Sequence, residues 1–531
     1  MDFIMNFPFF SIMICMLAAL STFMLGRKAA AWVAKGALFI TLILSIVLTA
    51  WLHASGESFV YMMGHFPAPW GNEIRAGELE GVMAIFTSVI ALLSIVSGRF
   101  SIRTGIDDTK QNLYYLITCL MEASLLALIY TNDIFTGYVF IEINTIAGCG
   151  LIMIKNTGRA VAAAVRYMVV SLVGSGLFLI GTTLLYSVTG HLLMQNINAS
   201  VACLAADGSY KVTLTVITAL MTVGLSIKSG LFPFHLWIPD AYAISVMPSS
   251  AMLSGMVSKG YIFLLIKLIY RVIGFDVFES TGVFDLIFIA GIAAMIMGSV
   301  AAIRSGYLRR MTAYSSVSQI GYIFMGIGIA NNAGVVAAIF HIITHGLTKS
   351  LLFMTAESFT AGKEDIEVGD LKGLGHKHPV SAAAFTAAAL SIVGFPLFAG
   401  FIAKMLLANA SFTEGWRMYV AIGAIAVSTI LNVVYFFRCI INLYGFGGFD
   451  GAKDDSDTET CITVQSEESS SAHHRNGVYV SAQSDCDAAP TRSEKSVHGI
   501  CAIILAVINL YIGVAPKLLT AILTKGLNVF N

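Results

Sequence analysis

Fourteen runs of apolar residues, each about as long as a membrane-spanning helix, dominate this chain of 531 residues. A helix needs about 20 mostly apolar residues to cross a bilayer. Backbone polar groups inside lipid must be satisfied within their own segment, so each run is expected to form an α-helix. The sequence therefore predicts an all-α, polytopic membrane protein with about 14 transmembrane helices. The predicted spans are 8–26, 30–52, 80–98, 113–131, 134–154, 164–188, 212–231, 245–271, 282–303, 314–330, 333–357, 380–409, 416–443 and 498–519.

The residue composition excludes two broad classes of protein. Charged residues make up 12% of the chain and hydrophobic residues 57%, whereas soluble proteins are about 25% charged, so a soluble enzyme is excluded. The 31 basic and 31 acidic residues cancel, which leaves no basic field for a nucleic acid. The eight cysteines form no Cys-x-x-Cys pair or dense cluster. We therefore expect no metal and no cofactor in this chain.

Basic residues concentrate in the loops that follow odd-numbered spans. By the positive-inside bias these loops are cytoplasmic, and an even number of spans then places both termini outside. We expect a multi-pass protein of the cell (cytoplasmic) membrane, with its first span retained because no signal-peptide pattern is present. The basic residues of these loops are Arg27, Lys28, Arg99, Arg103, Lys110, Lys155, Arg159, Arg166, Arg304, Arg309, Arg310, Lys363, Lys372 and Lys377.

The segment 448–496 interrupts the membrane pattern, since it is polar, acidic and rich in serine. Its position before the last span makes it cytoplasmic, and its composition favours a flexible loop. A small docking element is the alternative, because 461–464 and 478–480 could pair as a β-hairpin. His473 and His474 suggest a metal site, but adjacent histidines in a polar loop are more often solvated.

Ionisable residues occur inside several predicted spans, where they are costly unless they face a wet interior or a partner. Each is therefore a candidate for function by default. Snorkelling to the interface is the favoured explanation for Lys267 and Arg271, near the end of span eight. The candidates are Glu142 in span five, Lys228 in span seven, Lys259 in span eight, His341, His345 and Lys349 in span eleven, and Lys404 in span twelve, with Glu122 in span four as a further one.

Three of these residues recur at every fourth position of one span. The spacing places His341, His345 and Lys349 on a single helix face. A row of titratable groups can pass a proton, and histidine titrates near neutral pH. The alternative is that the histidines bond backbone carbonyls in a packed core. Three aligned groups in lipid favour the proton row.

Two prolines interrupt long apolar runs, Pro233 after Lys228 and Pro396 before Lys404. Each should break its helix. The breaks fall in the fourth helix of spans 4–8 and of spans 9–13, which predicts two inverted five-helix repeats with a transport site at the broken helices. The predicted organisation is a three-helix segment over 1–112, repeats over 113–271 and 282–443, the acidic loop 448–496 and a C-terminal helix over 498–531.

Several motifs resemble one family of membrane proteins. The chain is similar to the proton-conducting antiporter-like subunits of respiratory complex I, Mrp-type cation/proton antiporters and membrane-bound hydrogenases. The resemblance covers roughly residues 60 to 445. The motifs are KSGLFPFHLWIPDA at 228–241, PSSAMLSG at 248–255 followed by KG at 259–260, GHFPAPW at 64–70, YVFIE at 138–142, DLKGLG at 370–375 and SIVGFPLFAGFIAK at 391–404.

The resemblance implies a role for each candidate. Glu142 and Lys228 would form the charge pair of the N-terminal half-channel, and Lys259 would connect the two halves. His341 and His345 would relay protons, and Lys404 would close the C-terminal half-channel toward the outside. Lys349, which the helical spacing adds, and His235, which lies in the first motif, are further proton-transfer candidates. Tyr242 stands where the family usually has histidine, and Pro248 replaces a usual proline pair, which puts the loop after span seven in doubt but not the lysines. The acidic insert 448–496 is also unusual for the family, and the resemblance assigns it no role.

The expected function is proton translocation without redox chemistry in this chain. The first hypothesis is a subunit of a redox-driven pump, such as a membrane-bound hydrogenase or an NADH/ferredoxin dehydrogenase. Its partners would be other membrane subunits and a cytoplasmic redox module that holds iron–sulfur clusters. The alternative is a subunit of an Mrp-type antiporter, which exchanges Na+ for H+ without a redox module. A haem cytochrome is disfavoured because His341 and His345 share one helix, and a solute carrier is the third option.

Overall fold

The computed structural model describes residues 3–66, 71–208, 210–360, 364–445 and 490–530. Helices account for most of these residues, so the all-α prediction is confirmed. In chain order they are α1 (Phe7–Met24), α2 (Arg27–Ser55), α3 (Glu78–Ser97), α4 (Arg99–Gly105), α5 (Gln111–Tyr130), α6 (Ile134–Met153), α7 (Gly158–Thr189), α8 (Met194–Asp207), α9 (Lys211–Ser229), α10 (Ile238–Ile244), α11 (Met247–Met252), α12 (Ser258–Lys267), α13 (Phe275–Ser280), α14 (Val283–Arg304), α15 (Leu308–Gly328), α16 (Asn332–Thr360), α17 (Leu374–Lys377), α18 (Pro379–Val393), α19 (Ala399–Ser411), α20 (Trp416–Tyr444), α21 (Arg492–Val514) and α22 (Pro516–Asn528).

All fourteen predicted spans coincide with helices. Within the described residues, twelve helical segments are long and apolar enough to cross a membrane. The other two predicted spans are also helical. One is α15, which carries several serines and a threonine, and the other is the broken pair α18 and α19, in which each helix by itself is too short to cross a bilayer. The structure is thus a polytopic helical bundle, as the apolar runs predict.

Both predicted helix breaks are present. Helix α9 ends at Ser229 and Gly230 follows with φ +77°, after which Pro233 precedes a 3-10 turn over Phe234–Trp237. Helix α18 ends at Val393, Gly394 has φ +89°, and α19 begins three residues after Pro396. A positive φ costs other residues about 1–2 kcal/mol, so glycine suits both breaks. Each break lies in the fourth helix of its predicted set.

The centre of the bundle is formed by two packed helical spans. One is the span of α11 and α12, which contains π-helical turns over Leu253–Val257 and Leu268–Ile273. The other is α16, which is unbroken over its 29 residues. Both are buried throughout their most apolar stretch, and they pack against each other. The sequence does not predict the π-helical turns.

The last predicted span has different bounds in the structure. Helix α21 starts at Arg492, because Thr491 and Glu494 form a capping box in which the Glu494 N–H donates to Thr491 Oγ1 at 3.2 Å. It ends at Val514, and Pro516 opens α22 since proline suits the first helical turn. The predicted bounds of the last span, 498–519, are therefore wrong, and so is the predicted end of the acidic loop at 496. Residues 448–489, with both histidines and the predicted hairpin, lie outside the described residues.

A short β-hairpin that the sequence does not predict follows α2. Strands β1 (Phe59–Met62) and β2 (Glu73–Ala76) are antiparallel, with Phe59 opposite Ala76. The motif at 64–70 lies in their connection, of which residues 67–70 are outside the described part. Further along, Asn132 donates its backbone N–H to the Glu73 carbonyl at 3.0 Å. The hairpin thus joins the N-terminal helices to the α5–α6 turn.

Candidate functional site

The first part of the site is a buried ion pair between α9 and α6. Lys228 lies in the last turn of α9, where its Nζ is 3.2 Å from Glu142 Oε1 and donates to Thr145 Oγ1 at 2.6 Å. The Lys228 side chain is 1% exposed and the Glu142 side chain 23%. The predicted charge pair is therefore in contact, with its carboxylate nearer to the protein surface.

Polar side chains connect this pair to the centre of the bundle. The Tyr261 hydroxyl donates to Asn144 Oδ1 at 2.9 Å, and Asn144 donates to Ser124 Oγ at 3.0 Å. The Lys228 ammonium lies 5.9 Å from the centre of the Tyr261 ring. Tyr261 belongs to α12, so this contact links the ion pair to the helix that carries Lys259.

Lys259 is fully buried at the start of α12. Its Nζ donates to the Ser254 carbonyl and to Ser258 Oγ, the latter at 3.1 Å. Among the ion pairs of the described residues none includes Lys259. Neutral oxygens therefore hold this ammonium, and it interacts electrostatically with His341 and His345 on α16.

The two histidines stack in the middle of α16. Their ring centres are 5.9 Å apart and the rings are nearly parallel, at 12°. The same face is confirmed for His341 and His345, as the spacing predicts. No nitrogen of either ring has a hydrogen-bond partner within the described part of the chain. The alternative in which they bond backbone carbonyls is therefore not observed.

Lys404 continues the row beyond the histidines. It lies in the second turn of α19, and its Nζ donates across the helix break to the Val393 carbonyl at 2.8 Å and to Thr429 Oγ1 at 3.0 Å. The ammonium is 5.3 Å from the centre of the Tyr322 ring, which in turn lies 5.6 Å from the His341 ring. Tyr322, which the sequence did not single out, connects Lys404 to the histidines.

We call the resulting line of side chains the basic row; its members are Lys228, Lys259, His345, His341 and Lys404. They belong to four different spans, and each is at most 7% exposed. Burial of several basic groups is costly unless they are compensated, yet a carboxylate pairs with only one member among the described residues. The row can exchange protons because the neutral partners stabilise the charged form less than a carboxylate does.

Lys349 lies one helical turn beyond His345 and off the basic row. Its Nζ donates to the Thr312 carbonyl at 2.9 Å and to Ser315 Oγ, both on α15. The side chain is fully buried. Lys349 also interacts electrostatically with Lys259. The structure thus places this candidate against α15 rather than beside Lys404.

Two other candidates lie apart from the basic row. His235 lies in the 3-10 turn after the first break, where its ring stacks on Phe232 with centres 5.3 Å apart. Glu122 is fully buried on α5 and accepts a hydrogen bond from Ser88 of α3 at 3.0 Å. The contacts of the described residues bring neither side chain to one of the lysines.

The snorkelling explanation for Lys267 and Arg271 is wrong. Both residues are buried, and Arg271 Nη1 is 2.6 Å from Glu80 Oε1, a carboxylate that is itself 0% exposed. Lys267 Nζ donates to the carbonyls of Ile129 and Thr131, the latter at 2.9 Å. Protein partners rather than interfacial water satisfy these charges. Glu80 lies in the first turn of α3, and nothing in the sequence indicates that the distant Arg271 is its partner.

Comparison with known proteins identifies the family. The family described as "NADH:quinone oxidoreductase/Mrp antiporter, TM" matches residues 131–431, more than half of the chain. The chain belongs to this family. The matched range contains every member of the basic row, together with Glu142 and Lys349. The resemblance that the motifs indicate is therefore confirmed.

Individual relatives come from two kinds of complex. NADH-quinone oxidoreductase subunit N of Desulforudis audaxviator is 33% identical over 393 residues, 73% of this chain and 76% of that protein. A Na(+)/H(+) antiporter subunit of Alkalihalophilus pseudofirmus is 27% identical, over 77% of this chain and 80% of that protein. A chain in the Mrp complex of a Dietzia species has a TM-score of 0.82 and 24% identity, and the match covers 100% of this chain and 98% of that one. This last likeness shows a shared fold.

Proposed function

We propose that this protein is the proton-translocating subunit of a redox-driven ion-pumping complex, of the kind formed by membrane-bound hydrogenases and NADH or ferredoxin dehydrogenases. The observation that carries the proposal is the basic row, whose buried amines and imidazoles lie on four spans at the core of the bundle. Within it the two histidines stack, and the Tyr322 ring lies between His341 and Lys404. The relative from NADH-quinone oxidoreductase supports the redox-driven assembly. The chain itself moves protons and performs no redox chemistry.

The ion pair at one end of the basic row provides the switch. Unit charges 3.2 Å apart attract by about 5 kcal/mol at an effective dielectric constant of about 20. While Glu142 contacts Lys228 it therefore keeps the ammonium protonated. Removal of that carboxylate charge, by movement or protonation, favours release of the Lys228 proton toward the row. Lys259 and the histidines then pass protons toward Lys404.

The proposed setting is the cell (cytoplasmic) membrane. Basic residues in the loops after odd-numbered spans support cytoplasmic loops, including 448–496, with both termini outside. The partners are other membrane subunits and a cytoplasmic redox module with iron–sulfur clusters. The transported ion is H+.

A second candidate function is a subunit of an Mrp-type Na+/H+ antiporter. The Na(+)/H(+) antiporter relative, 27% identical over 77% of this chain, favours it. Both functions use the same basic row. They differ in what is coupled to proton movement, which is electron transfer in one complex and exchange for Na+ in the other.

The basic row is tested by replacing one lysine. Lys228→Ala should abolish proton transport in membranes that contain the assembled complex, because the pair with Glu142 is lost. Lys211→Ala, at the exposed start of the same helix, is the matched control and should transport at the wild-type rate. Transport is followed with a pH-sensitive dye in inverted vesicles. Full-rate transport by an assembled Lys228→Ala complex would exclude the mechanism.

The two assemblies are distinguished by isolating the native complex. The chain is purified gently from its membrane, its companions are identified by mass spectrometry, and iron is measured. Companions with iron–sulfur clusters support the redox-driven pump. Small membrane subunits without iron support the Mrp-type antiporter, and a lone chain would contradict both and favour a solute carrier.

A further inference from the structure

Hydroxyl groups fill the junction between the two lysines of the central spans. The first π-helical turn and α12 carry Ser254 and Ser258, and the facing part of α15 carries Thr312, Ser315 and Ser316. All five residues are fully buried. None of these five residues belongs to the basic row.

Hydrogen bonds from Lys259 and from Lys349 reach this junction from opposite sides. The Lys259 ammonium donates to the Ser254 carbonyl, and the Ser254 hydroxyl lies 3.2 Å from the Ser316 hydroxyl. Ser316 Oγ donates to the Thr312 carbonyl at 3.2 Å, and Lys349 Nζ donates to that same carbonyl at 2.9 Å. Each ammonium thus bonds a backbone carbonyl, and the two serine hydroxyls lie between these carbonyls.

The backbone around Ser254 differs from an ordinary helix. A π-helical turn widens the helix by one residue, and such turns are frequent at functional sites. In that turn the Ser254 carbonyl accepts the side chain of Lys259, five residues later. The same residue presents its hydroxyl to α15. The turn therefore brings Ser254 into contact with both sides of the junction.

We propose that the hydroxyls of Ser254 and Ser316 pass protons between Lys259 and Lys349. This inference rests on the proposed function and adds a branch to the basic row. Lys349 then exchanges protons with Lys259 rather than acting as a step between the histidines and Lys404. The branch leaves the row at Lys259 and ends at Lys349 on α16.

The proton transfer along the branch is balanced. One N–H bond of Lys349 breaks as an O–H bond forms on Ser316, whose own proton moves to Ser254. The Ser254 proton forms a new N–H bond on neutral Lys259, so neither serine keeps a net charge. The flexible lysine side chains allow each amine to turn from its carbonyl to the adjacent hydroxyl.

A packing role for the serines is the rival explanation. Ser316 bonds the carbonyl four residues earlier on its own helix, which buried serines commonly do. Ser318 offers the matched control, because it lies on the same helix, is also fully buried and bonds the Ser299 hydroxyl at 2.9 Å. Its hydrogen bonds go to Ser299, Ser428 and the Met295 carbonyl, away from the carbonyls that the two lysines bond. A packing role predicts equal effects of Ser316→Ala and Ser318→Ala.

The experiment compares proton transport by complexes assembled in native membranes. A positioned proton-transfer group contributes about 10²–10⁴-fold, and a water molecule can partly replace a hydroxyl, so Ser316→Ala and Ser254→Ala should each lower the rate by about tenfold. The solvent deuterium isotope effect on transport should rise in both. Ser316→Thr keeps the hydroxyl and should restore the rate, and Ser318→Ala should match the wild type.

The outcomes separate this inference from the proposed function. If Lys259→Ala stops transport while both serine variants run at the wild-type rate, the branch is excluded and the basic row stands. If Lys259→Ala also transports at full rate, both are wrong. Failure of Ser316→Thr to restore the rate would assign the serines to packing. If Ser316→Ala does not assemble, Ser254→Ala decides the question with the same readouts.

Discussion

Buried charges in this protein fall into two kinds according to their partners. Lys228 and Arg271 each contact a carboxylate. Lys259, Lys349 and Lys404 bond neutral oxygens of serine, threonine and the backbone. An uncompensated buried ammonium is costly and readily loses its proton. The neutral partners therefore suit residues that release and take up protons during transport.

At the scale of residues, the buried pair of Glu80 and Arg271 is expected to stabilise the fold. Arg271→Met should lower the free energy of unfolding by about 3–5 kcal/mol, because it leaves the Glu80 carboxylate buried without this partner. The double variant Glu80→Gln with Arg271→Met should recover most of that loss. Thermal unfolding of the purified complex in detergent measures both effects. Wild-type stability of Arg271→Met would indicate that the charge is satisfied by water.

The identities of the site residues could be predicted from the sequence, whereas most of their partners could not. A charged residue in an apolar run is visible because lipid would not tolerate it without a reason. Thr145, Tyr322 and Thr429 are neutral residues of ordinary helices. Nothing local marks them, since their role depends on which helix faces them.

At the scale of elements, the helix breaks position the lysines at both ends of the basic row. Gly394 illustrates the coupling, because it has φ +89° and a Cβ built there would lie 3.0 Å from Lys404 Cδ and 3.2 Å from its Nζ. The break therefore leaves room for the lysine side chain. The Lys404 ammonium bonds the carbonyl of Val393, the last residue before the break.

Gly394→Ala should consequently slow proton transport as well as reduce stability. The positive φ alone costs about 1–2 kcal/mol, and the added methyl displaces the Lys404 side chain. Gly282→Ala is the matched control, since Gly282 has φ +72° and open space around its Cβ position. Both variants should unfold at lower temperature, but Gly394→Ala alone should lose transport. Equal transport by the two variants would show that the contact with Lys404 is unimportant.

The turn between α6 and α7 provides a pH-dependent prediction. Burial, together with the nearby Arg309 guanidinium, lowers the pKa of Lys155 to about 8 from its ordinary 10.5. Between these values the unfolded chain binds more protons than the folded one, so stability should rise as pH increases from about 8 to 10.5. Lys155→Met should remove that rise when unfolding temperature is measured against pH. An unchanged slope would assign it to another group.

The elements themselves could largely be predicted, but their irregularities could not. Apolar runs long enough to span a bilayer have few alternatives to a helix. The π-helical turn at Leu253–Val257 has no such signal, and it packs against α16 and α3, which are distant in the sequence. The hairpin β1–β2 depends likewise on pairing between segments on either side of a loop.

At the scale of the whole molecule, the orientation in the membrane is a prediction that native cysteines can test. Cys203 is exposed on α8, which connects spans six and seven. The proposed orientation places this helix outside the cell. A membrane-impermeant maleimide should therefore label Cys203 in intact cells, and Cys203→Ala should lose that label. Labelling of Cys203 only in inverted vesicles would reverse the orientation.

The sequence by itself determined that the chain crosses the membrane many times, where the helices lie, where two of them break and which buried side chains carry charge. These properties follow from local rules, since lipid accepts apolar helices and rejects unpaired polar groups. The tertiary structure alone decided which groups meet. It paired Glu80 with Arg271, placed Tyr322 between Lys404 and His341, and brought the hydroxyls of Ser254 and Ser316 into contact. Such contacts depend on the packing of distant helices, which no local pattern specifies.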